Sequence, residues 1–348
     1  TGENKGQSGN PPTACRHIQI WEIGMIAAIT DNDKERIRQW GRGLDDDITL
    51  GYATTGHAMD QRFKSFADQV ADLAPRVRAK KDGDTMISLP TLFIGSQLGY
   101  QALPLDRELE PFLAVLGDGS AFADRVDPDT RQRLLQLRAP ALVKVYITSH
   151  CPFCPTTVSI LLGLAACSDQ VRVTVIDGEL FPDAAQKDRV SAAPTVILDD
   201  RFRWTGSVDA GELVTLMLDR DPVDLGPDAL RGMIEAGNAE GVAGMMAERG
   251  VIFPAFIQLL IHPRWSVRLG AMVSFETLAE SDPGLAGEVV EPLVAVFGDV
   301  DDGVKGDLIH VLGESGNRAA LPFLETVACG EYDDEVQVAA EEDIEKLI

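Results

Sequence analysis

The sequence predicts two α/β units in tandem followed by an all-α region of repeated helix pairs. Three observations lead there. At 348 residues the chain exceeds what one hydrophobic core usually supports. Residues 141–220 carry apolar runs in the order β-α-β-α-β-β-α, and the stretch before them repeats much of that order. After Asp221-Pro222 the alternation of strands gives way to helical apolar periodicity.

The second unit is the clearer one. It reads as strand 142–147, helix 153–166, strand Val171–Ile176, helix 183–190, strands Thr195–Leu198 and Phe202–Thr205, and helix Ala210–Leu218. The first two strands join through a helix and should be parallel, and the last two join through Asp199-Asp200 as a hairpin. This is the element order of a thioredoxin fold. Upstream, Ile48–Thr54 matches the first strand, Asp60–Leu73 a helix and Val77–Lys81 a strand. Leu89-Pro-Thr-Leu-Phe-Ile94 lines up with Ala193-Pro-Thr-Val-Ile-Leu198, and a helix at Arg107–Leu116 closes the copy. A duplication is the economical explanation. Asp124–Ala139, with a helix at Thr130–Leu137, joins the halves. The expected division is a flexible tail at 1–14, a first thioredoxin-like fold with its linker at 15–139, a second at 140–221, and helical repeats at 222–348.

In that last region Phe253-Pro254 to Val267, Glu291-Pro292 to Val304 and Leu321-Pro322 to Val336 echo one another. Each has a proline at a helix start, an apolar helix, a short turn and a second helix. About residues 228–348 resemble HEAT repeats, which implies a stack with a long curved docking surface.

Composition narrows the function. The 55 acidic against 31 basic residues give a formal charge of −24, which repels phosphate backbones and anionic lipid. Neither a nucleic acid nor a membrane is an expected partner, and the longest apolar runs fall short of the ~20 residues a membrane span needs. Five cysteines, at 15, 151, 154, 167 and 329, are too few for a disulfide-stapled scaffold and fit a cytoplasmic, reducing setting. Thr1–Pro12, rich in Gly, Asn and Ser, reads as a tail without a signal-peptide core.

Chemistry concentrates at Cys151-Pro-Phe-Cys154, between a strand and a helix start. Free amide hydrogens at a helix N-terminus favour a thiolate, so Cys151 is the expected nucleophile and Cys154 the resolving thiol. Pro152 suits the first helical turn, and Phe153 offers an apolar rim to substrate. Pro194, followed by Thr195, stands where a thioredoxin fold places a cis-proline loop against the dithiol. His150 is read either as thiolate support or as incidental. Cys167 reads as a buried helix residue, and Cys15 and Cys329 have no motif. In the first copy Gly56-His57-Ala58-Met59 occupies the dithiol position, so that half is expected to be redox-silent.

Three segments carry a family resemblance: Thr148-Ser-His-Cys-Pro-Phe-Cys-Pro155, Ile176-Asp-Gly-Glu-Leu-Phe-Pro-Asp183 and Ala193-Pro-Thr-Val-Ile-Leu198. They resemble the redox half of the tandem thioredoxin-fold domain at the N-terminus of alkyl hydroperoxide reductase flavoproteins. They are also similar to archaeal protein disulfide oxidoreductases. Leu92-Phe-Ile-Gly-Ser-Gln-Leu-Gly99 extends the likeness to about residues 20–220. The resemblance implies electron relay from a flavin-linked, thioredoxin-reductase-like donor to a disulfide partner such as a peroxiredoxin, with Cys151 and Cys154 as the dithiol and Pro194 as the cis-proline. No Gly-x-Gly-x-x-Gly fingerprint is present, so no bound cofactor is expected and any flavin belongs to a separate protein.

The expected function is thus a thiol–disulfide oxidoreductase whose helical repeats dock a partner. Two alternatives stand beside it. One is a redox-switched adaptor or scaffold. The other is a glutaredoxin drawing electrons from glutathione, to which Gly206-Ser-Val-Asp209 gives a weak match. Metal binding ranks last, because one Cys-x-x-Cys supplies only two of a structural zinc's four ligands.

Overall fold

The computed structural model describes residues 29–82 and 87–348. The expected tail at 1–14 and Cys15 lie outside the described residues. The elements follow the order α1 (Asp31–Gly41), β1 (Ile48–Ala53), α2 (Asp60–Leu73), β2 (Val77–Lys81), β3 (Thr91–Ile94), β4 (Leu98–Gln101) and α3 (Leu109–Gly117). Two short helices, α4 (Ser120–Ala123) and α5 (Pro128–Leu134), lead into β5 (Ala141–Ile147), α6 (Cys154–Cys167), β6 (Val171–Asp177), α7 (Pro182–Lys187), β7 (Thr195–Leu198), β8 (Phe202–Thr205) and α8 (Ala210–Asp219).

Both halves use one pairing plan. In the first, β1 pairs parallel with β2 and antiparallel with β3, and β3 pairs antiparallel with β4. In the second, β5 pairs parallel with β6 and antiparallel with β7, and β7 with β8. The halves are nevertheless not separate bodies. Strand β4 pairs parallel with β6, from Leu98 opposite Val173 to Gln101 opposite Ile176. One eight-stranded sheet results, ordered β2-β1-β3-β4-β6-β5-β7-β8, with a continuous apolar core from Ile29 to Met217.

In the α/β part, helix α1, the short helix α4 and strand β4 are additions to the sequence expectation. Helix α1 buries only the narrow line Asp33, Ile37 and Gly41, so its apolar pattern is faint. Thr30 caps it, accepting from the Asp33 amide at 3.1 Å and donating to the Asp33 carboxylate at 2.9 Å. Strand β4 is four residues long and contains a glycine, too short for a visible alternation.

From Pro227 onward the chain is helical: α9 (Pro227–Glu235), α10 (Ala239–Arg249), α11 (Pro254–Leu260), α12 (Trp265–Ser281), α13 (Pro283–Ala286), α14 (Val290–Val296), α15 (Asp302–Glu314), α16 (Leu321–Ala328) and α17 (Asp334–Leu347). Pro254, Pro292 and Pro322 fall in the first turns of α11, α14 and α16. The longer helices α10, α12, α15 and α17 pack side by side in that order. Together these helices enclose a second core, running from Leu225 to Leu347.

The helical part joins the sheet at the start of β5 and β6 and the end of β7. Arg220 lies buried there, 2.6 Å from the Asp199 carboxylate and donating to the Pro140 carbonyl at 2.8 Å and to the Ala139 carbonyl. Arg138 forms a two-pronged pair with Glu248 at 2.9 Å. The guanidinium of Arg172 lies directly against Gly232, where a Cβ would meet it at 2.4 Å. At ~3.3 Å per residue, the seven residues of β5 separate this joint from the strand's other end by roughly 20 Å.

Candidate redox site

The far end of β5 carries the dithiol. After Ile147 the chain turns, with the Cys151 amide bonded to the Thr148 carbonyl at 3.2 Å, and enters α6 at Cys154. The two cysteine sulfurs lie at disulfide distance, with their Cα atoms 5.5 Å apart. The amide of Cys154 points at Cys151 Sγ from 3.1 Å. Cys151 is half-buried, Cys154 is fully buried, and Pro152 and Phe153 between them are exposed, Phe153 by 71%.

The Ala193–Pro194 peptide is cis. The Ala193 carbonyl oxygen lies 3.6 Å from Cys151 Sγ. Pro194 and Thr195 are buried, and the Thr195 hydroxyl donates to the Ala192 carbonyl at 2.7 Å, tying down the loop that faces the dithiol. His150 is exposed, and its Nδ1 lies 2.8 Å from Ser149 Oγ, which in turn donates to Glu179 at 2.9 Å. The structure thus places His150 at the rim, in a polar chain leading to Glu179.

A cavity of about 480 Å³ opens beside Cys151. Its wall is shared between the halves: Leu103, Leu105 and Glu108 come from the segment between β4 and α3, and Asp177 and Leu180 from the end of β6. Glu108 is 8% exposed, and neither of its carboxylate oxygens has a hydrogen-bond partner among the described residues. Burial, reinforced by the nearby charge of Asp177, pushes its pKa up to about 7. Asp177 is also raised by burial, against the pull of the Leu180 and Glu179 amides that donate to it. Sequence reasoning missed Glu108. It sits in an ordinary charged stretch, Asp106-Arg-Glu-Leu-Glu110, and only the pairing of β4 with β6 carries it to the dithiol.

The remaining sequence candidates lie apart from the sulfurs. Asp209 of the Gly206–Asp209 segment caps α8, accepting from the Glu212 amide at 2.8 Å. His57 stands edge-on to Phe181, with ring centroids 5.4 Å apart. Cys167 closes α6 half-buried, its thiol pKa raised by burial, and Cys329 is exposed. His310, Glu314 and Asp343 of the helical part gather ligand-type atoms within 4.8 Å of one another. The Lys346 ammonium already lies 2.6 Å from Asp343 and 2.9 Å from Glu314. Among the described residues no helix is long and apolar enough to cross a membrane.

The thioredoxin domain family matches residues 141–218, from the first residue of β5 into α8. Residues 141–218 form a thioredoxin-like domain. Beyond this domain the likenesses are distant. An NADH dehydrogenase of Ferdinandcohnia aciditolerans is 21% identical over 235 residues, which span 62% of this chain and 45% of that protein. An alkyl hydroperoxide reductase from Pseudomonas aeruginosa is 24% identical over 238 residues, spanning 65% of this chain and 41% of that protein. The chain thus spans less than half the length of these curated relatives. A solved protein disulfide oxidoreductase from Aeropyrum pernix aligns over 56% of this chain and 94% of its own, with a TM-score of 0.49 and 13% identity.

Proposed function

We propose that the chain is a thiol–disulfide oxidoreductase acting through Cys151 and Cys154. One observation carries this reading: the two sulfurs lie at bonding distance at a helix start, the upstream one reachable and the downstream one sealed. The Cys151 thiolate attacks a substrate disulfide, forming a mixed disulfide and expelling one substrate thiolate. Cys154 then loses its proton and attacks Cys151 Sγ. The second substrate thiolate leaves, the Cys151–Cys154 disulfide forms, and two electrons have passed to the substrate. Glu108, its carboxyl raised toward neutrality by burial, lines the cavity that opens beside Cys151 and is suited to exchange the protons that dithiol chemistry releases there. Pro194 and Thr195 shape the loop opposite Cys151, and Phe153 supplies an apolar contact for the substrate.

The oxidised dithiol needs an external reductant, either a flavin-linked reductase or glutathione, and a peroxiredoxin-type disulfide is the substrate class this reading favours. The helical part, read as a HEAT-like stack of residues 222–348, docks a protein partner. Dithiothreitol-driven insulin reduction tests the assignment. Loss of turnover in Cys151→Ser is the expected result, and undiminished turnover would sink the assignment.

A further inference from the structure

We infer that the exposed face of α12 is a docking surface for a basic amphipathic helix of a partner protein; the inference deepens the reading of the helical part as a docking platform and rests on it. The face begins with Trp265, Leu269 and Val273, which are 59%, 39% and 43% exposed. Positions four apart on a helix are displaced by ~6 Å along its axis and by only ~40° around it, so these three side chains form one apolar stripe about 12 Å long. The same face continues with exposed Glu276 and Glu280, and the other side of α12 packs against α10, α11 and α15. Nothing in the fold needs an open tryptophan there, and a contiguous apolar strip with a polar border is what an interaction site leaves on a surface.

Charge selects the occupant. Residues 222–348 hold 24 of the 55 acidic residues and 7 of the 31 basic ones, so this part alone carries −17 of the chain's formal −24. The two arginines nearest the stripe are engaged, Arg264 with Glu235 at 3.3 Å and Arg268 with Asp307 at 2.6 Å. Such a field repels nucleic acid, anionic membranes and a second copy of the chain. It attracts a segment with apolar residues along one side and Lys or Arg beside them. The slowly winding i, i+4, i+8 line suits a helix laid along it, since a helix presents its own anchors at the same spacing.

The test is a fluorescence-anisotropy titration of the full chain with a labelled synthetic peptide of about 18 residues, Leu at i, i+3, i+4 and i+7 and Lys on the flanks. A scrambled peptide of equal composition and a Glu-for-Lys version serve as controls. The surface is supported if the Lys peptide binds best, and if Trp265→Ser with Leu269→Ser weakens it about tenfold. Glu276→Gln with Glu280→Gln should weaken it several-fold and flatten its salt dependence. Matching circular-dichroism melts establish that the variants are folded. Equal binding of the scrambled peptide, or binding unchanged in the Trp265/Leu269 variant, reduces the effect to bulk charge and overturns the inference. Self-association of the free chain that Trp265→Ser abolishes would assign the face to a second copy and overturn it as well. Peptide binding is read without turnover and insulin reduction without peptide, so failure of the redox reading and failure of the docking surface give separate results.

Discussion

The Cys154 amide donates its hydrogen to Cys151 Sγ across 3.1 Å, so the upstream sulfur serves as the cap of the helix that follows it. Among the described residues no other side chain caps α6. A negative sulfur strengthens that bond and a neutral thiol weakens it, which ties thiolate stability to the order of the first helical turn.

Reactivity of the reduced protein should therefore be lopsided. Alkylation by iodoacetamide is expected to reach half-buried Cys151 roughly tenfold faster than fully buried Cys154. Peptide mapping after timed quenching measures both. Comparable labelling of the two cysteines would remove the division into attacking and resolving thiols.

Glu108 gives a pH prediction with a definite sign. Folding raises its pKa to about 7, so between the ordinary carboxyl range and neutrality the folded chain holds a proton that the unfolded chain releases. The burial penalty is absent below about pH 4, grows through the window, and is complete above about pH 7. Glu108→Gln should raise unfolding stability by about 1–3 kcal/mol at pH 8 and leave it unchanged near pH 4. The same variant should slow resolution of a trapped mixed disulfide. Urea melts at the two pH values and single-turnover kinetics check the two arms.

Phe153 is open to solvent, so Phe153→Ala should cost less than about 0.5 kcal/mol in stability. Its effect belongs in substrate capture, as a several-fold rise in KM for insulin disulfides with kcat little changed. A fall in kcat at constant KM would move Phe153 from binding to chemistry.

At the joint, Arg220 and Asp199 are both nearly sealed from solvent. Arg220→Ala leaves a buried carboxylate without its counter-ion, held only by the Leu142 amide at 2.9 Å, and takes the donor from two carbonyls, and should cost about 3–5 kcal/mol. Differential scanning calorimetry measures the loss, and limited proteolysis should cut near residue 220 while Cys151 alkylation proceeds at its usual rate.

Much of this was legible along the chain because the signals were local. The dithiol, the hairpin at Asp199-Asp200 and the prolines in the first turns of α11, α14 and α16 each declare themselves within a few residues. Strand β4, helix α1 and Glu108 do not. Leu98-Gly-Tyr-Gln101 is too brief to show a period, α1 buries one thin line of side chains, and Glu108 gains its character from a burial created by strands far away in sequence. The missing information was topological: without β4 lying against β6, the dithiol-free half has no visible reason to take part in the site.

The joint with the helical part and the dithiol occupy opposite poles of the same strand, β5. On the proposed function, a client held by the helical part while its disulfide meets Cys151 would have to reach past the roughly 20 Å of β5, which favours a long client or one whose disulfide sits on an extended arm.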